Sequence, residues 1–69
     1  MDSGHRIRVR RAELRLTQEQ LAEIAHLSRR SIIKAEAGGK LHELTQQAIE
    51  RALQLEPGSL RNEAAAVSR

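Results

Sequence analysis

The amino-acid sequence predicts an all-α fold, a compact domain of four or five short helices. Gly and Pro occupy only five positions, and the segments between them place apolar residues at helical spacing. No segment shows the alternation of polar and apolar residues that a half-buried strand requires. The 69-residue chain has no aromatic residue and no Cys, so its core has to consist of aliphatic side chains, which suit closely packed helices.

Capping residues and helix-stopping residues set the expected helix boundaries. Thr17 and Gln20 form a capping box at the start of the second helix, and Ser28 is an N-cap for the third. Gly38 and Gly39 stop the third helix. The expected helices cover about 5–14, 18–25, 29–36, a fourth from residue 43 or 45 to about 53, and a short fifth from 57 to about 63. Together they make one domain over residues 1–63, with 64–69 as a flexible C-terminal tail.

Residues 18–36 contain two short helices joined by a tight turn, which is a helix-turn-helix unit. At about 100° per residue, the second of these helices places four residues on one outward face: Arg29, Arg30, Ile33 and Lys34. A helix fits the major groove of DNA, where Arg and Lys bind guanine O6 and N7 and an apolar side chain meets a thymine methyl. This face therefore favours duplex DNA as the partner. The alternative is an ordinary solvated face, which rarely exposes an isoleucine among its cations.

The charge distribution agrees with a polyanion as the partner. The net charge is +3, and residues 1–40 hold nine Lys or Arg against five Asp or Glu. Residues 41–69 hold three Arg against four Glu. A basic first half with a nearly neutral remainder suits a domain that binds nucleic acid with one face. On charge alone, an ordinary solvated surface explains the pattern equally well.

Composition and motifs argue against other classes of function. No apolar run approaches the roughly 18 residues of a membrane span, and arginines interrupt the N-terminal segment, so we expect a soluble cytoplasmic protein. His5, His26 and His42 are too scattered to form a metal site, and no Cys joins them. The sequence has no nucleophile–base pair and no phosphate-binding loop, so it predicts neither an enzyme nor a cofactor.

A set of residues between positions 7 and 60 matches a known pattern in one register: Ile7, Arg11, Leu14, Leu16, Thr17, Gln18, Leu21, Ala22, Leu27, Ser28, Ile32, Glu36, Gly38, Thr45, Ile49, Ala52 and Leu53. In this set the sequence resembles the Cro and lambda-repressor-like helix-turn-helix domains, also called the XRE type. The resemblance implies a lambda-repressor-like fold built around a helix-turn-helix. It also implies sequence-specific binding of double-stranded DNA.

The resemblance assigns roles to particular residues. Gln18 would place its side chain, or the start of its helix, at a DNA phosphate. The groove-facing residues would be Ser28, Arg29, Arg30, Ile33 and Lys34. Lys40 and the amides near it would contact the DNA backbone. Arg11 and Glu36 match an ion pair that ties the first helix to the end of the third, which is a structural role and not a DNA contact.

Three positions depart from the family pattern. His26 stands where the turn usually has Gly, and Arg15 stands where Gly often ends the first helix. A left-handed backbone at His26 is strained relative to the same conformation at Gly. Ala35 replaces a larger core residue, so the third helix either packs closer to its neighbours or leaves a small gap.

Together these features predict a dimeric transcriptional repressor on a palindromic operator. One recognition helix covers only a few base pairs, so a homodimer would engage two half-sites about 10 base pairs apart, or a multiple of that. Leu55 and Leu60 are apolar residues beyond the helix-turn-helix and predict a C-terminal dimer interface. The resemblance favours autorepression of a phage or mobile-element operon. The alternatives are an antitoxin, with a toxin protein as partner, and a protein-interaction module that uses the same fold.

Overall fold

The computed structural model describes residues 3–60, which form four α-helices and no strand. The helices are α1 (Ser3–Glu13), α2 (Gln18–Ala25), α3 (Arg29–Glu36) and α4 (Glu43–Ala52). The all-α fold class is confirmed. The bounds of α2 and α3 are those expected from the capping residues, and α4 begins at the earlier of its two predicted starts. The predicted domain end at residue 63 and the tail at 64–69 lie outside the described residues.

The core lies where three helix pairs meet, because α2 packs on α3 and α4 while α1 packs on α3. Its largest fully buried apolar side chains come from every helix and from the residue after α4: Ile7, Leu21, Ile32, Ile49 and Leu53. Burying side chains of this size contributes about 1.5–3 kcal/mol each. These contacts fix the angle between α2 and α3, and so they set which face of α3 points outward.

Gly4 brings α1 close to the end of α3. It lies inside α1, although the sequence predicted a helix start at residue 5, and it is buried. A Cβ at Gly4 would clash with the carbonyl oxygen of Glu36 and would lie 3.0 Å from that of Ala35. Ala35 itself is only 1% exposed. Of the two alternatives for the small residue at position 35, the structure therefore favours the closer packing.

Three turns use a left-handed backbone at residues other than Gly. Arg15 has φ 59° after α1, His26 has φ 60° and ψ 41° after α2, and Gln54 has φ 59° after α4. The backbone N–H of Leu27 donates to the carbonyl oxygen of Ala22 at 2.8 Å, which closes the turn after α2. His is one of the residue types that tolerate this region, at some cost relative to Gly.

The segment after α4 corrects two expectations. Residues 57–60 form hydrogen-bonded turns where a fifth helix was predicted, and the rest of that predicted helix lies outside the described residues. Leu60 is 2% exposed and belongs to the core, so it is not available for a dimer interface. Leu55 is half-buried and also packs against the core. The physical reason is Glu50, whose carboxylate accepts the N–H groups of Gly58 at 3.0 Å and Leu60 at 2.9 Å and draws the segment back onto α4.

Candidate nucleic-acid interface

Side-chain caps fix where α2 and α3 begin. Thr17 Oγ1 accepts the N–H of Gln20 at 3.0 Å, and Gln20 Oε1 accepts the N–H of Thr17 at 2.8 Å. This reciprocal pair is the predicted capping box. Ser28 Oγ accepts the N–H of Ser31 at 3.1 Å and so caps α3. The hydroxyl of Ser28, which was predicted to face the groove, is therefore engaged at the start of the helix, although the residue itself is exposed.

The outer face of α3 carries four exposed residues, which we call the recognition surface: Arg29, Arg30, Ile33 and Lys34. The opposite face is buried and includes Ile32 and Ala35. Within residues 3–60, none of the three cations on the recognition surface forms an ion pair. Ile33 is 43% exposed among them. The arrangement offers unpaired donors and an apolar group on one exposed face of α3.

A glycine positions Lys34. Gly39 follows α3, and a Cβ there would lie 3.0 Å from both Cγ and the carbonyl oxygen of Lys34. The aliphatic part of Lys34 thus runs across Gly39 before its ammonium group reaches solvent. The sequence indicated only a helix stop at this position. Lys40, the next residue, is exposed in the loop before α4.

A hydrogen-bonded cluster ties α1, α2 and α3 together. Arg11 donates from Nε to Glu36 Oε2 at 2.7 Å and from Nη2 to Glu36 Oε1 at 3.3 Å. Its Nη1 donates to the carbonyl oxygen of Leu16 at 3.0 Å. The side chain of Glu36 is only 5% exposed, so this pair lies largely out of water. Gln18 Nε2 also donates to Glu36, at 3.1 Å, which engages the side-chain amide that was expected at a DNA phosphate.

The family model described as helix-turn-helix matches residues 7–60, which is most of the chain. The chain belongs to this family. It is of the Cro/C1, XRE-like type that the sequence resemblance predicted. The family consists of DNA-binding transcription regulators, and this domain is one of them. No curated protein and no solved structure matches the chain.

Most arginines of α1 form hydrogen bonds that stabilise the fold, and one is exposed. Arg6 donates from Nη1 to the carbonyl oxygen of Ser59, and Arg10 donates from Nε to that of Leu53 at 3.0 Å. With Arg11 bound to Glu36, three of the arginines that made the first half of the sequence basic stabilise the fold. Arg8 is exposed and makes no such bond within residues 3–60. Total charge therefore overstates the number of cations that are free to meet DNA.

A basic depression lies between the start of α2 and the start of α3. It is lined by Arg11, Arg15, Leu16, Thr17, Gln18, Glu19 and Arg29. Arg15 is exposed and was interpreted from the sequence only as a turn residue. Its left-handed backbone, together with the packing of the two helices, brings it to the same depression as Arg29. A phosphate at this place would meet two arginines and the free N–H groups that begin α2.

The described residues also bear on the requirements of a metal site and of a membrane span. Among residues 3–60, no group of three or more His, Cys, Asp or Glu side chains comes together in a way that could hold a metal ion. Over the same residues, no helix is long and apolar enough to cross a membrane.

Proposed function

We propose that this domain binds duplex DNA sequence-specifically by inserting α3 into the major groove, and that it represses transcription as a homodimer on a palindromic operator. One observation carries the proposal. The recognition surface combines three cations that have no ion-pair partner among the described residues with the exposed side chain of Ile33. Family membership supplies DNA binding and regulation in general. The face of α3 supports direct contacts with bases.

Individual roles follow from position. Arg30 and Lys34, four residues apart on α3, are our choice for guanine O6 and N7. Ile33 lies between them along the chain and suits a thymine methyl. Arg29 and Arg15 line the basic depression and suit phosphates. Lys40 suits the backbone beyond α3.

The side chains of Gln18 and Ser28 both have partners within the protein, so of the two contacts predicted for Gln18 the one through the start of its helix is favoured. The amide of Gln18 donates to Glu36 and the hydroxyl of Ser28 caps α3. Main-chain N–H groups at the start of α2, including that of Gln18, remain to donate to a phosphate. We therefore assign Gln18 a phosphate contact through its backbone. The pair Arg11 and Glu36 keeps the structural role.

The biological setting follows from the resemblance to Cro and lambda-repressor domains. It supports autorepression of a phage or mobile-element operon by steric block of a promoter, in the cytoplasm where such DNA is transcribed. An antitoxin function is the alternative, and co-purification with the product of a neighbouring toxin gene would favour it. A protein-interaction module would instead bind an acidic protein through the recognition surface, with no preference among DNA sequences.

Selection of bound sequences from a random duplex pool tests the proposal. We expect one enriched motif with two inverted half-sites about 10 base pairs apart, or a multiple of that, centre to centre. Enrichment of a single half-site without an inverted repeat would contradict the homodimer but would still support sequence-specific binding. If the bound duplexes have the same distribution of sequences as the starting pool, and the affinity responds to salt but not to sequence, sequence specificity itself is contradicted.

A further inference from the structure

The outer face of α4 exposes a stripe of one leucine, one half-buried alanine and one arginine. Leu44 is 79% exposed, and Ala48 and Arg51 follow it at the i+4 and i+7 positions of the same helix. The opposite face of α4 is buried through Ile49. Spacings of four and three residues are those by which helices pack against one another as knobs into holes. The stripe therefore has the pattern of a helix-packing face that lacks a partner within residues 3–60.

A depression beside this stripe runs between α2 and α4. It is lined by Ile24, Ala25, His26, Ala48, Arg51 and Ala52. Ile24 is 50% exposed at its edge. The α4 residues that line it include two alanines, Ala48 and Ala52, whose small side chains leave room for an apolar side chain from another helix. Leu44 lies outside the depression of its own chain.

We propose that a second copy of this chain occupies this surface, with the two α4 helices antiparallel and crossing near Ala48. Leu44 of each copy enters the depression beside Ile24 of the other. Arg51 of each copy pairs with Glu43 of the other. The inference rests on the proposed homodimer and places the interface on α4 instead of at Leu60, whose side chain is buried in the core of its own chain.

Charge complementarity and register favour a second copy. Glu43 begins α4 and Arg51 lies near its end, so an antiparallel pair sets opposite charges against each other twice. In an antiparallel pair of helices, residues that face each other across the interface have sequence numbers centred on the crossing point. Glu43 facing Arg51 centres on residue 47, and Leu44 facing Ala52 centres on residue 48, so one crossing point allows both contacts. Arg51 has no ion pair among the described residues. Glu43 already accepts Gln47 Nε2 at 3.4 Å, and a carboxylate has acceptor sites for an additional donor.

The size of the face predicts a weak dimer. A stable interface buries about 800 Å² on each partner. A ten-residue helix is only about 15 Å long, and α4 with the edge of α2 offers less surface than this. Self-association in solution should therefore be weak, and two half-sites on one duplex should strengthen it by holding the copies together.

A charge-exchange experiment tests the antiparallel pairing. Glu43→Arg and Arg51→Glu are made separately, and each is expected to weaken self-association by about tenfold or more because like charges meet twice. An equal mixture of the two variants should restore association as a one-to-one heterodimer, since both ion pairs form again. Sedimentation equilibrium measures all three samples, and circular dichroism checks that each variant is folded. Glu56→Arg, an exposed glutamate outside α4, is the control and should self-associate as the wild type does.

A second variant separates this inference from the proposed function. Leu44→Ser changes an exposed residue, so it should keep the fold, keep affinity for a single half-site, and lose cooperative binding to the full operator. Two results would overturn the α4 interface. One is that Leu44→Ser still binds the full operator as cooperatively as the wild type does. The other is that the mixture of Glu43→Arg and Arg51→Glu associates no better than either variant alone. The same results would leave single half-site binding, and with it the proposed DNA recognition, intact.

Discussion

The Arg11–Glu36 ion pair holds the end of α3 against α1. Arg11→Ala removes three donors and leaves the buried carboxylate of Glu36 with Gln18 alone. We expect a loss of about 3 kcal/mol in the free energy of unfolding, because an unpaired buried charge is costly. Thermal unfolding measures it, and Arg8→Ala, an exposed arginine of the same helix, should change stability by less than about 0.5 kcal/mol. Unchanged stability combined with weaker DNA binding would contradict the structural role.

The backbone of His26 stores strain in the helix-turn-helix turn. Its φ of 60° is a conformation that Gly adopts without a steric penalty. His26→Gly should therefore stabilise the domain by about 1 kcal/mol, after the greater chain entropy of Gly in the unfolded state is counted. Urea unfolding measures the change. Ala25→Gly, one residue earlier and helical, is the matched control and should destabilise by about 1 kcal/mol; equal effects from both changes would count against strain at His26.

At the scale of elements, Glu50 joins α4 to the segment that follows it. The residue is 2% exposed, and its carboxylate accepts two backbone N–H groups and Gln46 Nε2. Glu50→Ala leaves the N–H groups of Gly58 and Leu60 without this acceptor. We expect a loss of about 2–3 kcal/mol, since each unsatisfied buried group costs about 1–3 kcal/mol.

Chemical denaturation of Glu50→Ala measures that loss. Glu56→Ala removes an exposed carboxylate nearby and should leave stability within about 0.5 kcal/mol of the wild type. Amide exchange at Leu60 should also accelerate in Glu50→Ala. An unchanged exchange rate there would mean that core packing of Leu60, and not Glu50, holds the segment.

At the scale of the whole molecule, the sequence predicts features that depend on neighbouring residues, but it does not predict contacts between residues that are distant in the chain. The bounds of α2 and α3 follow from Thr17 and Ser28, whose caps act within three residues. The outward face of α3 follows from helical angles alone. By contrast, Arg6 binds a carbonyl 53 residues away, and the partners of Glu50 lie beyond a chain reversal. Neither separation along the chain matches a helical or strand period, so no local sequence pattern indicates these contacts.

The roles of Gly4, Arg15 and Leu60 also depend on contacts that local sequence patterns do not indicate. Gly4 matters because another helix crosses it, and Arg15 joins the basic depression because a turn directs it there. Leu60 was expected at an interface because an apolar residue beyond the last clear helix has the same pattern whether it meets its own core or a partner. Tertiary packing decided all three.

Binding-site selection repeated for each variant of the recognition surface tests the central claim most directly. Arg30→Ala and Lys34→Ala should each weaken the preferred site by about 1–3 kcal/mol and relax preference at one or two base pairs. Ile33→Ala should act mainly at A·T pairs. Arg15→Ala should weaken all sequences alike and reduce the slope of the salt dependence by about one. If Arg29→Ala, Arg30→Ala and Lys34→Ala all return the wild-type motif, α3 is not the element that recognises bases, and the account is contradicted.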